Sequence, residues 1–220
     1  MTRLTRQLMC LRAVRELEEG MYVNLGLGIP SVLPYFIPPD LDVIFHIENG
    51  ALNIGPIPDD WDNWNIDLVN AGGQPISLKP GISFFSTVDA FAMIAGGHID
   101  VTILGAYQVS ERGDLANWKT NEQAKGAIGG SMDLATGAKR VIVIMEHIDT
   151  RGRPKIVKEC SYPLTGKGVV SLVVTDMAVL GFVPEGIELR EVAPGLTPEE
   201  IQSFTEPKLI ISKELREMEF

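Results

Sequence analysis

Leu4, Leu8, Leu11, Val14 and Leu17 recur at intervals of three and four residues, and Gly20 follows them. That spacing predicts an amphipathic helix closed by a glycine cap. Residues 21–25 then read as a strand running into Gly26-Leu27-Gly28-Ile29-Pro30, and residues 31–36 open a further helix broken by Pro38-Pro39. Val43-Ile44-Phe45 has the look of the end of a short buried strand. Apolar runs predict more strands at 67–70, 76–78, 101–104, 140–145 and 169–175, and a helix at 85–95 is stopped by Gly96-Gly97. Thr197-Pro198-Glu199-Glu200 is a helix start written in sequence: a Thr cap, Pro at the first position and Glu at the third. Residues 55–64 carry turn chemistry and two tryptophans and predict a surface loop; residues 111–114 predict a charged hairpin turn. Strands that alternate with helices and end in glycine-rich turns predict an α/β fold with an open, largely parallel sheet flanked by helices. No linker interrupts the pattern, so residues 1–220 are expected to form a single domain.

Composition narrows the function classes. At 220 residues, 45% hydrophobic and 22% charged, the chain has the make-up of an ordinary soluble globular protein. Nothing approaches the roughly 18 uninterrupted apolar residues of a membrane helix, and the N-terminus lacks the apolar block of a secretory signal. A cytoplasmic protein without a membrane partner is expected. Cys10 falls within a helical pattern and reads as a buried free thiol, and two cysteines make no disulfide framework. The net charge of −10 argues against nucleic acid. It also means that a phosphate-bearing ligand would need a local cluster of cations or a second chain.

Candidate chemistry centres on Phe45-His46-Ile47-Glu48-Asn49-Gly50. A carboxylate between a hydrophobic run and a turn dipeptide sits at the carboxyl end of a strand, where open α/β folds place their ligand crevices. Glu48 is therefore either paired for structure or used for chemistry. Of the glycine-rich turns, Gly26-Leu27-Gly28 lacks the third glycine of a dinucleotide fingerprint. Gly126-Ala127-Ile128-Gly129-Gly130-Ser131 could bring uncovered N–H groups close to an oxyanion or phosphate, or could simply be a tight turn. His46, His98 and His147 form no metal-ligand spacing, and each reads first as a hydrogen-bonded structural residue. His46 is the functional outsider, because i and i+2 share a face of a strand. Gly-x-Ser-x-Gly is absent, so serine hydrolysis has no support.

Several blocks taken together resemble the β subunit of the two-subunit 3-oxoacid CoA-transferases, the family I CoA-transferases, over nearly the whole chain. They are Gly20-Met21-Tyr22-Val23-Asn24-Leu25-Gly26-Leu27-Gly28-Ile29-Pro30, Glu48-Asn49-Gly50, residues 96–106, Gly113-Asp114-Leu115-Ala116-Asn117-Trp118, Gly129-Gly130-Ser131-Met132-Asp133-Leu134 and residues 163–170. The resemblance implies the CoA-transferase (NagB/RpiA-like) fold, Glu48 as the catalytic carboxylate and Gly129 and Gly130 as oxyanion and thioester-binding residues. Asn49, Gly50, Gly26 and Gly28 would support the site. It further implies ping-pong transfer of CoA through a glutamyl-CoA thioester between an acyl-CoA (succinyl- or acetyl-CoA) and a 3-oxo acid such as acetoacetate or 3-oxoadipate. Coenzyme A would be a substrate, with no permanently bound cofactor or metal. A separate α subunit would share the active site, in an α2β2 assembly.

The chain departs from the family pattern at Ile47, where Ser is usual, at His46, where Gln is common, at the polar segment 119–125, and at Ser131, where Ala is usual. These differences bear on substrate identity more than on reaction type. A related acyl-CoA hydrolase, in which water resolves the thioester, would differ in not needing an acceptor acid. A scaffold subunit would need no nucleophile beside an oxyanion site.

Overall fold

The computed structural model describes residues 3–58 and 64–220. In chain order the elements are α1 (Arg6–Val14), β1 (Tyr22–Leu25), a 3-10 helix (Ile29–Phe36), β2 (Ile44–Ile47), β3 (Ala51–Ile54), β4 (Leu78–Phe84) and α2 (Thr87–Ala95). There follow β5 (Val101–Leu104), β6 (Gln108–Ser110), β7 (Leu115–Ala116), α3 (Ser131–Gly137), β8 (Arg140–Met145) and β9 (Ile156–Val157). The chain closes with β10 (Leu172–Thr175), β11 (Ala178–Val183), β12 (Gly186–Val192), α4 (Pro198–Ser203) and β13 (Ile210–Glu217).

Ten strands form one sheet in the order β13-β12-β11-β10-β8-β5-β1-β2-β3-β4, and β7-β6-β9 form a small second sheet. The middle of the large sheet, β10-β8-β5-β1-β2, is parallel throughout. The architecture is thus the expected α/β one, a large and mostly parallel sheet flanked by helices, with antiparallel strands added at both ends. The central strands are covered on both faces, which is why they read as continuous apolar runs: β5 and β10 are buried at every residue. Because these strands run the same way, their carboxyl ends share one edge. The residues that follow them there are Gly26, Glu48, Gly105, Glu146 and Asp176.

The expected bounds of β5 and β8 hold, as do the Gly96-Gly97 stop, the 111–114 hairpin and the Thr197 capping box. Cys10 is a buried free thiol. Differences have local causes. The first helix ends at Val14, and two successive turns, Glu16 N–H to Ala13 O and Leu17 N–H to Val14 O, still carry Leu17 into the core. The segment after Gly28 winds as a 3-10 helix, since Pro30 opens it and Pro34 inside it offers no N–H to an α-helical ladder. Residues 67–70 form a turn rather than a strand. Asn70 Oδ1 takes the N–H groups of Gly72 and Gln74 and leaves only a Val69–Pro75 bridge. Of the loop expected at 55–64, residues 59–63 lie outside the described residues.

His147, just past β8, is fully buried between Thr175 Oγ1 (3.0 Å from Nδ1) and Thr205 Oγ1 (2.9 Å from Nε2). A neutral imidazole donates from one nitrogen and accepts at the other, so one hydroxyl must turn its proton toward the ring. Burial, helped by the charges of Arg3 and Lys155, pushes its pKa from 6.5 down to about 3. The unfolded chain therefore binds a proton below pH 6.5 that the folded chain refuses, and the stability present above that pH is lost as pH falls toward 3. The slope is about 1.4 kcal/mol per pH unit. Between pH 7 and 5, His147→Gln is expected to lose about 2 kcal/mol less stability in urea titrations than the parent. Parallel losses in the two proteins would show that His147 is protonated when folded.

Candidate functional site

β2 ends at Ile47, and Glu48 is the first residue of the turn that leads into β3. Its carboxylate is half-buried and is held from the neighbouring strand. Asn24 on β1, opposite His46 in the parallel register, donates its amide to Glu48 Oε2 at 3.1 Å and to the His46 carbonyl at 3.2 Å. The same nitrogen lies 3.1 Å from His46 Nδ1. Asn24 and His46 are wholly buried. Burial pushes the His46 pKa down to about 4, so the ring is neutral at ordinary pH and its Nδ1 shares the two Asn24 amide protons with the His46 carbonyl and Glu48 Oε2. Phe85 stacks on the imidazole at 6.2 Å between centroids. Thr102 on β5 pairs with Asn24 in turn, so Thr102, Asn24 and His46 form a polar row across three strands, and Glu48 lies two residues beyond it.

The turn itself depends on Gly50. Its N–H reaches Ile47 O (3.1 Å), its carbonyl accepts from Phe85 N (3.1 Å), and its φ is 118°. Asn49 spends its amide on Val69 O (2.8 Å) while its carbonyl accepts from Thr87 Oγ1, which ties the turn to α2.

Gly130 approaches Glu48 next to Phe91 of α2. A side-chain carbon on Gly130 would stand 3.8 Å from Glu48 Cγ and 3.0 Å from Phe91 Cζ, so the bare backbone lies directly against the glutamate. Gly129, at φ 50°, turns the chain just before it. Among the described residues, neither glycine's N–H has an acceptor within the chain.

A cleft of about 660 Å³ lies at the carboxyl ends of β1, β5 and β8, lined there by Gly26, Gly105 and Glu146. Gly26, Leu27 and Gly105 line it together with Gln123, Lys125 and Ala127. The polar segment 119–125 therefore borders the cleft. Leu27, Val88, Phe84 and Met132 stand exposed on this side.

The structure thus brings together Glu48, Gly50 and Gly130, with Gly129 adjoining. Gly26 lines the cleft one strand away. Gly28 does not reach Glu48; it caps the 3-10 helix, its carbonyl accepting from Ser31 Oγ (2.8 Å). His98 is exposed rather than held as a structural histidine. The residue that sequence reasoning missed is Asn24. Its signal was a lone amide inside the strand Tyr-Val-Asn-Leu, a polar group that must find a partner when buried.

A family profile described as coenzyme A transferase matches residues 8–203. The chain is 47% identical over 201 residues to one subunit of a succinyl-CoA:3-ketoacid coenzyme A transferase of Helicobacter pylori, covering 91% of this chain and 96% of that one. It is 44% identical over 209 residues to one subunit of a 3-oxoadipate CoA-transferase of Pseudomonas putida, covering 94% and 97%. Among solved structures, an acyl-CoA transferase apoenzyme from Escherichia coli O157:H7 superposes with a TM-score of 0.78 at 21% identity, covering 98% of this chain and 43% of that one. Glutaconate coenzyme A-transferase from Acidaminococcus fermentans superposes at 0.71 with 19% identity, covering 99% and 90%. At such identities these two speak for the fold.

Proposed function

The chain belongs to the coenzyme A transferase family, and from that premise we propose that it is the nucleophile-bearing β subunit of a 3-oxoacid CoA-transferase, with residues 1–220 as one domain. The observation that carries the assignment is the half-buried Glu48 carboxylate, oriented by Asn24 and faced by the backbone of Gly130. The Glu48 carboxylate attacks the thioester carbonyl of the acyl-CoA and expels CoA thiolate, leaving an acyl–glutamyl anhydride. The thiolate then attacks the glutamyl carbonyl and releases the donor acid, leaving a glutamyl-CoA thioester. An acceptor carboxylate attacks that thioester, and CoA thiolate finally takes the acyl carbonyl, which returns Glu48 as its carboxylate. Each addition places negative charge on an oxygen beside Glu48. The N–H groups of Gly129 and Gly130, lacking acceptors among the described residues, are the donors for it; losing one such donor typically costs on the order of 10²–10³ in rate.

The donor is succinyl- or acetyl-CoA and the acceptor a 3-oxo acid, acetoacetate or 3-oxoadipate; the names of the relatives carry succinyl-CoA, a 3-ketoacid and 3-oxoadipate. Both relatives are named as single subunits of their enzymes, which implies a second, and we take it to be an α chain in an α2β2 assembly. The exposed apolar residues around the site, Leu27, Phe84, Val88 and Met132, give that chain a surface to cover. Borohydride reduction after incubation of the two subunits with acyl-CoA tests the covalent route. The peptide carrying Glu48 should convert from glutamate to the corresponding alcohol in the mass spectrum. Turnover without that change would exclude Glu48 as the nucleophile. Dependence of CoA release on an acceptor acid separates transfer from hydrolysis.

Asn24 acts here as a positioning residue. Asn24→Ala removes the side-chain donor on Glu48 and is expected to lower kcat by about 10²-fold through misorientation, with little change in KM for either substrate. An altered KM with intact kcat would assign Asn24 to substrate binding instead.

A further inference from the structure

We propose that Thr102 is a further positioning residue for the transfer reaction: its hydroxyl donates a hydrogen bond to Asn24 Oδ1 and so fixes the amide that orients Glu48. The inference rests on the reading of Glu48 as the nucleophile and carries it one strand further across the sheet.

Unsatisfied polar atoms concentrate beside the nucleophile. Among the described residues, the buried side-chain nitrogens and oxygens without a hydrogen bond are Asn24 Oδ1, Thr102 Oγ1, His46 Nε2 and Asn53 Oδ1. Three of these four atoms belong to the single polar row that Thr102, Asn24 and His46 form across β5, β1 and β2. Leaving a buried polar group unpaired is costly, and nearly all such groups find a partner. Asn24 and Thr102 hold the two halves of one bond, because an amide oxygen only accepts and a hydroxyl can donate.

The sheet leaves each of them little choice. Asn24 Nδ2 faces β2, where His46 Nδ1, the His46 carbonyl and Glu48 Oε2 take it up. Its oxygen, the other arm of the same planar amide, is left to the opposite side, toward β5. There Thr102 stands opposite Asn24 in the parallel register. On its far side Thr102 pairs with Val141, whose side chain has no polar atom. Asn24 is therefore the polar neighbour that the row offers the hydroxyl. Neighbouring strands lie ~4.8 Å apart, a gap that two facing side chains close directly or over one buried water. In both forms the hydroxyl proton points to Oδ1. An amide anchored at its oxygen cannot flip, and a flipped Asn24 would turn that oxygen toward the Glu48 carboxylate.

Thr102→Val tests the bond on the two-subunit enzyme, because valine keeps the branched shape and removes the hydroxyl. It should lower kcat on the order of tenfold by loosening the orientation of Glu48, with KM for either substrate unchanged. Thr102→Ser keeps the hydroxyl and loses a methyl; it should hold kcat near that of the parent although it packs less well. In the Asn24→Ala background, Thr102→Val should slow the enzyme no further. A valine variant that is more stable than the parent and just as active would overturn the proposal, since that is how a hydroxyl without a partner behaves. A serine variant as slow as the valine one would do the same, by tracing the effect to packing. Urea unfolding of the parent, Thr102→Val, Asn24→Ala and the double variant reads the bond without any CoA chemistry, and the losses should be non-additive. Additive losses would overturn the bond even where transfer proceeds. Non-additive losses in a protein that transfers no CoA would support the bond and count against the reading of Glu48 as the nucleophile.

Discussion

Glu48→Gln is expected to reduce CoA transfer by ~10⁴-fold or more while leaving the fold unchanged, since removal of a nucleophile takes away every step that depends on it. Glutamine matches the shape of glutamate, and its carbonyl oxygen can still accept the 3.1 Å hydrogen bond from Asn24 Nδ2. The residue is half-buried rather than locked in an ion pair, so no uncompensated charge remains behind. Loss of activity can therefore be assigned to chemistry and not to unfolding. Three measurements check the point on one preparation: the transfer rate, the thermal midpoint and the borohydride-trapped peptide. The rate and the trapped product should vanish together while the midpoint holds. A variant with a rate near that of the parent would end the glutamyl mechanism, whatever the similarity to known transferases. Gly130→Ala should act on the same chemistry, because its methyl would crowd Phe91 Cζ at 3.0 Å and stand in van der Waals contact with Glu48 Cγ at 3.8 Å.

How far the sequence disclosed this arrangement depended on the range of each signal. β5 and β8 were legible residue for residue, because a strand covered on both faces is an unbroken β-branched run. The Thr197 cap was equally plain, since both partners of its capping box lie within four residues. β12 went unread although Ile187 and Leu189 point inward while Glu188 and Arg190 alternate with them; its period of two was present but short and glycine-led. β11 hid for a different reason, as Gly181 interrupts an apolar run with no alternation. At the site, the strand-end position of Glu48 was local and could be read. That Asn24 orients it was not, because the bond links residues 24 positions apart through the pairing of β1 with β2. The approach of Gly130 to Glu48 likewise follows from α3 packing on α2, which no spacing in the sequence encodes.

Gly50→Ala is expected to be the most damaging single methyl that can be added to the site. The residue sits at φ 118°, where an L side chain costs about 1–3 kcal/mol. The new carbon would also overlap the carbonyl oxygen of Phe85, a backbone atom that cannot swing aside as a side chain could. Overpacking of this kind costs a further 1–3 kcal/mol or so. A total of about 4 kcal/mol corresponds to a fall of roughly 8–16 °C in the thermal midpoint for a chain of this size. Gly20→Ala isolates the first part of that cost. Gly20 also has a positive φ, 77°, but nothing lies within 4 Å of the carbon that alanine would add. It should lose only the smaller, conformational share and keep full activity. The excess loss at Gly50 then measures the close approach of the Glu48 turn to the start of α2. If the Gly50 variant folds by pushing Phe85 away, that shift carries Ser86, Thr87 and the stacking on His46 with it. Transfer should then fall even in the fraction that remains folded. Equal midpoints for the two variants would mean that the turn relaxes freely, and that Glu48 is held by Asn24 alone.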